Sequence, residues 1–295
     1  MKIKKMKIIN KSMDLEDLKT REALEVIEEL KVLIRQYEKD GCKISSWYGD
    51  CDGDPYMTEL NILNRGYDYE PILDEKDDLK YPSFLLWEIY WVYSNLNLKK
   101  GDRVLDIGGA CSLFSFYLAS KGIQVVALDL NGRIVEEANR IATVMRIDYT
   151  AVCSDAEEYV QQTTEKFDCI TSICVFEHIE INKRKRIIAQ LHKCLKENGK
   201  LAFTFDYKNP LGSVKINNIE DIENQFLCND NLCLVGNQEF YDNNKNYLIS
   251  FFYRRPAQWK KKIRLILDKE YPFYKFFSTR GKNDYTFGSV FLKLK

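Results

Sequence analysis

Between residues 103 and 207 the apolar positions switch repeatedly from short continuous runs to stretches with helical spacing. Residues 103–107, 124–129, 148–152, 167–173 and 199–205 read as strands, and the stretches near 112–121, 132–145 and 181–197 read as helices. Alternation of this kind implies a parallel sheet with helices on both faces, a doubly wound α/β class. Gly101 and Gly199 stand just before the first and fifth strands, where turn residues belong. Upstream, Leu15, Leu18, Leu24, Ile27, Leu30, Ile34 and Tyr37 fall near one face of a helix over 14–40, with Gly41 at its C-terminal cap. This helix is expected to pack on the main domain; a homodimer contact is the alternative use of its face. "PSFLLWEIYWVYSNL", from Pro82, predicts a second helix with a large aromatic surface covering one edge of the sheet. After Asp206 the alternation stops, and residues 247–254 and 285–295 are two later strand candidates. The expected division is an N-terminal helical extension and substrate-side lid over 1–98, then a nucleotide-binding unit over 99–295 with an insertion at about 207–282.

The chain of 295 residues is 45% hydrophobic and 30% charged, as soluble globular proteins are. Its formal charge is zero, so nothing global favours nucleic acid or a membrane as partner. No apolar run reaches the ~18 residues of a membrane span, and "MKIKKMKIIN" lacks a secretory apolar stretch. The nine cysteines are scattered, with Cys111, Cys169 and Cys174 inside apparent core segments. Without a CxxC pair and with two histidines, no metal site is expected; dispersed thiols suit a reducing cytoplasm.

In a doubly wound sheet, ligands bind at the carboxyl ends of the strands. The first strand ends at Asp106 and a turn of Gly108, Gly109, Ala110, Cys111 and Ser112, which lacks the glycine spacing of the dinucleotide fingerprint G-x-G-x-x-G. The second ends at Asp129, placed to accept from both hydroxyls of a ribose, with Leu130 after it. The third leads into "CSDAEEY", where the Asp155 carboxylate could accept from an exocyclic adenine amine. The fourth, "FDCITSICVFEHI", ends in Cys174, Val175, Phe176, Glu177 and His178.

With these residues in view, positions 100–207 resemble the class I S-adenosylmethionine-dependent methyltransferases. The resemblance implies a seven-stranded, mostly parallel Rossmann-like sheet closed by a C-terminal antiparallel strand pair. It implies that "VLDIGGACS" wraps the methionine part of S-adenosylmethionine, with Asp106, Gly108, Gly109 and Ala110 at its heart. Asp129 and Leu130 would then meet the ribose side, Asp155 the adenine amine beside the backbone of Ala156, and Cys174 and Val175 the cofactor on its way to the substrate. The family turn usually reads D-x-G-x-G-x-G; here Ala110 and Ser112 replace the later glycines. A cofactor without a pyrophosphate tolerates that loss. The turn also resembles a subgroup associated with surface-glycan and small-metabolite pathways.

The sulfonium is already activated, so the protein must mainly hold a nucleophile in line, with a base for protonated oxygen or nitrogen. His178 is the expected base, while Asp206 and Tyr207 in "FTFDYKNP" are expected to position the acceptor; His192 reads as a helix-surface residue. Asp50, Asp52 and Asp54 begin like a calcium loop, but Pro55 and Asn61 break that pattern, and a polar lid fits the segment better. The basic, aromatic stretch 254–282 suits a solvated helix or peripheral contact with an anionic membrane. The expectation is methyl transfer from S-adenosylmethionine, leaving S-adenosylhomocysteine, to a hydroxyl of a sugar, nucleotide-sugar or related metabolite. Alternatives are a nucleic-acid methyltransferase, disfavoured by zero net charge and by the absence of an Asn/Asp-Pro-Pro-aromatic run, and a non-catalytic cofactor-binding subunit. A nicotinamide-dependent reductase ranks last because of the turn.

Overall fold

A computed structural model describes residues 7–42, 44, 82–209, 216–248 and 284–295. Its sheet is built from β2 (Arg103–Ile107), β3 (Gln124–Asp129), β4 (Tyr149–Cys153), β5 (Phe167–Ile173), β6 (Leu195–Tyr207) and β9 (Asp284–Leu294). They lie in the order β4-β3-β2-β5-β6-β9, all parallel except β9, which runs antiparallel to β6 from Thr286 opposite Tyr207 to Lys293 opposite Lys200. The order reverses at β2, so the carboxyl ends of β2 and β5 flank a crevice. Helices α1 (Arg21–Lys39), α2 (Ser83–Leu96), α3 (Leu113–Ser120), α4 (Gly132–Met145), α5 (Ala156–Gln162), α6 (Ile181–Leu191) and α7 (Ile219–Phe226) cover the faces.

Strand periodicity sorts the side chains into two cores. Leu105, Ile107, Val126, Leu128, Phe203, Phe205 and Tyr207 point to one face, beneath Ile187 and Leu191 of α6 and Phe226 of α7. Val104, Val125, Ala127, Cys169 and Ala202 point to the other, where α1, α2 and α3 bring Leu30, Tyr37, Phe84, Trp87 and Phe116. α2 is apolar nearly all round and buried nearly all round, as that composition requires, and Phe84 stacks on Phe287 of β9 at 4.7 Å. It stops where Asn97 takes a left-handed conformation (φ 55°). α1 turns Ala23, Val26, Ile27, Leu30, Ile34 and Tyr37 inward, whereas Leu24, read as part of the apolar face, is 50% exposed, and Leu15 and Leu18 lie in a separate 3-10 turn over Leu15–Lys19 instead of one helix over 14–40.

Three elements depart from the expected pattern. The helix expected over 181–197 ends at Leu191; a 3-10 turn at His192–Cys194 follows, and β6 begins at Leu195. Gly199 therefore lies within β6 rather than ahead of it, beside an irregularity where pairing with β5 shifts register. A Cβ at Gly199 would come within 2.9 Å of both Leu195 Cδ2 and the Lys196 carbonyl oxygen, which explains the glycine there. The N-terminal residues also join the sheet: β1 (Lys11–Ser12) pairs with Ser289 and Gly288. Together with β7 (Leu232–Leu234) and β8 (Tyr247–Leu248) it covers the outer edge of β9 in three short pieces. That cover removes an open sheet edge. Asn10, fully buried, fastens the arrangement: its Nδ2 donates to the carbonyls of Val235 and Asn237, both at 2.8 Å, and its Oδ1 accepts from Phe291 N at 2.7 Å. The polar segment containing Asp50, Asp52 and Asp54, and the basic stretch 254–282, lie outside the described residues.

Candidate active site

Asp106 is 1% exposed at the end of β2 and lies beneath the glycine turn. Its carboxylate accepts from Ser115 Oγ at 2.5 Å and Thr171 Oγ1 at 2.8 Å. Burial outweighs these hydrogen bonds and pushes its pKa up to about 6. Gly108 adopts φ +77°, and its N–H donates to Leu128 O at 2.8 Å, tying the turn to β3. A Cβ on Gly108 would meet Val175 Cγ1 at 2.5 Å; one on Gly109 would lie 1.9 Å from Asp106 Oδ2. Both glycines are thus required by the packing of the turn on β2 and on the end of β5. Beyond them Cys111 takes a left-handed φ of 62° while its N–H donates to Tyr149 Oη at 3.2 Å, and Ser112 caps α3 through Ser115 N at 3.1 Å. A serine cap and a tyrosine-held cysteine thereby complete the turn without further glycines.

The same edge carries the remaining candidates. Asp129, half-buried, accepts from Asn131 N at 2.9 Å, and burial raises its pKa. Leu130 beside it is 73% exposed, an unusual position for so large an apolar side chain at a strand end. Asp155 caps α5 through the N–H groups of Glu157 (2.9 Å) and Glu158 (3.4 Å), and its Oδ2 pairs with Lys183 Nζ at 2.5 Å. Burial opposes its charge, but Lys183 and the capping amides prevail and hold its pKa below the usual carboxylate value. Its carboxylate is thus already engaged by the protein, while Ala156 opens the helix it caps. Asp129 and Leu130 are the more accessible half of the predicted nucleoside side.

At the end of β5 the chain takes a left-handed step at Cys174 (φ 51°), whose N–H donates to both the carbonyl and the Oγ1 of Thr204 at 3.2 Å. The Cys174 thiol donates to Glu88 Oε1 of α2 at 2.9 Å. Glu177 follows, 4% exposed, with Oε1 accepting from Asp206 N at 3.3 Å. The ligand atoms of Cys174, Glu177 and Asp206 all lie within 4.8 Å of one another. Burial pushes Glu88 up to about 8, and burial with mutual repulsion raises Glu177 and Asp206 together. Sequence reasoning named Cys174 and Asp206 but passed over Glu177 and Glu88 as site residues. Glu88 sits in an aromatic helix, where a lone acid inside an apolar run was the available signal.

His178 stands at the mouth of this group, its side chain 69% exposed and Nε2 4.0 Å from Glu177 Oε1. Tyr207 requires a correction. As Asp206 turns towards Glu177, period-two alternation sends Tyr207 to the opposite face, where it is buried against Phe240 and its hydroxyl donates to Asp242 Oδ2 at 3.2 Å. It cannot position an acceptor beside Asp206. His192 lies in the 3-10 turn after α6, with Nδ1 3.0 Å from Ala189 O.

Comparison with known proteins agrees with this geometry. Residues 104–199 match the family model described as a methyltransferase domain. The ubiquinone biosynthesis O-methyltransferase of Coxiella burnetii (strain Dugway 5J108-111) is 30% identical over 105 residues, 36% of this chain and 44% of that protein. The enzyme of the same name from Pseudomonas syringae pv. tomato is 24% identical over 124 residues, 41% of this chain and 51% of that one. The matched region thus spans about half the length of these curated relatives. Among solved structures, coclaurine N-methyltransferase bound to N-methylheliamine and S-adenosylhomocysteine superimposes with a TM-score of 0.52 at 14% identity, over 95% of this chain and 96% of that one. The cyclase SpnF superimposes with a TM-score of 0.53 at 15% identity, over 78% and 86%. These two likenesses concern the fold alone. With the glycine turn, the β3 acid and the strand order in place, residues 104–199 are similar to a methyltransferase domain and lie on a Rossmann-like methyltransferase fold.

Proposed function

We propose that the chain transfers the methyl group of S-adenosylmethionine to a hydroxyl of a small molecule, in the class of sugars, nucleotide-sugars and related metabolites. The observation that carries this reading is the convergence on one sheet edge of the Asp106–Gly109 turn, the accessible Asp129–Leu130 pair and the polar Cys174–Glu177–Asp206 group. Asp129 would accept from the ribose hydroxyls, Leu130 would cover the nucleoside, and the turn would hold the methionine end. The bound cofactor supplies an electrophilic methyl on a sulfonium. The protein's task is then to align the acceptor oxygen over the end of β5 and remove its proton. His178, exposed at that mouth, is placed to take the proton, and Asp206 to orient the acceptor. The O-methyltransferase relatives favour oxygen over nitrogen. Among the described residues no helix is long and apolar enough to cross a membrane, and the eight described cysteines are all free, which favours a reducing cytoplasmic setting.

The test is formation of S-adenosylhomocysteine from S-adenosylmethionine across a panel of hydroxylated acceptors, beginning with nucleotide sugars. His178→Ala should lower turnover about 100-fold or more while leaving cofactor affinity unchanged. Wild-type turnover in that variant would remove His178 from the role of base. Cofactor binding without turnover on the whole panel would favour a regulatory subunit.

A further inference from the structure

The group at the ends of β5 and β6 has the composition of an open metal site. We propose that Cys174 Sγ and the carboxylates of Glu177 and Asp206 bind a divalent transition-metal ion of the zinc class, leaving one position free for the acceptor oxygen. The acceptor role rests on the function proposed above; ion binding itself does not.

Geometry comes first. The three ligand atoms lie within 4.8 Å of one another, whereas tetrahedral coordination by one sulfur and two oxygens would space them about 3.6 Å apart. Closing that gap needs the ligand atoms to approach one another by about an ångström. Cys174 is held in its left-handed conformation by two hydrogen bonds to Thr204, so its position is fixed by β6 before any ion arrives.

The second observation is unsatisfied polarity. Glu177 Oε2 and Glu88 Oε2 are buried and make no hydrogen bond, although Glu177 is 4% exposed and Glu88 0%. Buried carboxylate oxygens without partners are rare because each carries a desolvation penalty. The nearby cations favour charge here without bonding the Oε2 atoms: Arg184 donates to Gln225 Oε1 and the Ile179 carbonyl, and His178 Nε2 pairs with Glu177 Oε1 only at 4.0 Å. Among the described residues, neither Glu88 nor Asp206 forms an ion pair. An ion seated between Sγ and the two carboxylates would supply the missing charge.

Donor chemistry selects the ion. A thiolate with two carboxylates suits zinc and its neighbours and disfavours magnesium and calcium, which take oxygen ligands. Binding breaks the Sγ–H bond and forms Sγ–metal, with the thiol proton released to solvent. Glu88 Oε1, which accepts from the Cys174 thiol at 2.9 Å, is a positioning residue that orients Sγ and touches no substrate. An acceptor hydroxyl on the free position would lose its proton more readily to His178.

The experiment is titration of the chelator-treated protein with Co²⁺ under reducing conditions, followed by absorption. The expected result is saturation at one equivalent with a near-ultraviolet thiolate-to-cobalt band. Cys174→Ser should abolish the band and Asp206→Asn should weaken binding at least tenfold. Cys153→Ser, which alters an exposed cysteine elsewhere, should leave both unchanged. Absence of saturable binding, or a band that survives Cys174→Ser, would overturn the site. Calorimetry with S-adenosylhomocysteine on the same sample separates the two readings. Nucleoside binding without Co²⁺ binding overturns the metal site alone, and Co²⁺ binding without nucleoside binding supports the ion site while overturning its acceptor role.

Discussion

Asp106→Asn tests how burial under the glycine turn is balanced against charge. In the folded protein the Asp106 carboxyl holds its proton up to about pH 6, because burial outweighs the hydroxyls of Ser115 and Thr171. In the unfolded chain it loses that proton near its ordinary value of 3.8. The folded pKa is the higher one, so this group's contribution favours folding below pH 3.8 and is lost as pH rises through 6. The difference of about two pH units corresponds to about 3 kcal/mol, with roughly half of it falling between pH 5 and pH 8. Asparagine keeps the shape, and the two hydroxyls can reorient to meet an amide. Urea unfolding of both proteins without cofactor at pH 5 and pH 8 reads the effect. The stability of Asp106→Asn relative to wild type should rise by about 1–2 kcal/mol from pH 5 to pH 8. A constant difference between the two proteins across that range would mean that the Asp106 carboxyl titrates alike in the folded and unfolded states.

Three other outcomes follow from the geometry. Asp129→Ala should weaken S-adenosylhomocysteine binding by about 1.5–3 kcal/mol, the value of hydrogen bonds to a charged acceptor, and unchanged affinity by calorimetry would place the ribose elsewhere. Gly109→Ala puts a Cβ 1.9 Å from Asp106 Oδ2, so the turn must open; stability should fall by about 1–3 kcal/mol and nucleoside affinity with it, and thermal unfolding and binding like wild type would contradict the turn's packing. Asn10→Ala strands the Phe291 amide and the carbonyls of Val235 and Asn237, and should cost about 2–4 kcal/mol in urea unfolding, whereas a loss under about 1 kcal/mol would mean that β1 is not integral to the sheet.

The central strands were legible because each buries both faces and ends in a turn. β2, β3 and β5 therefore stand out as apolar runs with an acid or glycine after them, and these endings also display Asp106, Asp129 and the Cys174–His178 segment. β1 was not legible: two residues have no period, and what places them is the Asn10 side chain reaching residues more than two hundred positions away. Side-chain direction at the end of β6 was equally hidden. Asp206 and Tyr207 are neighbours in sequence, and only the assignment of inward positions to Phe203 and Phe205 shows that they face opposite cores. Glu88 stands out in sequence only as a lone acid within an apolar helix, and its place beside Cys174 is set by tertiary packing of that helix.

The edge built by Asp106, Gly108, Gly109 and Asp129 is expected to hold S-adenosylmethionine. Calorimetric titration of the purified protein with S-adenosylmethionine, S-adenosylhomocysteine and NADH tests it most directly. Stoichiometric binding of the first two and none of NADH is expected; binding of NADH alone, or of none of the three, would place the cofactor assignment in error.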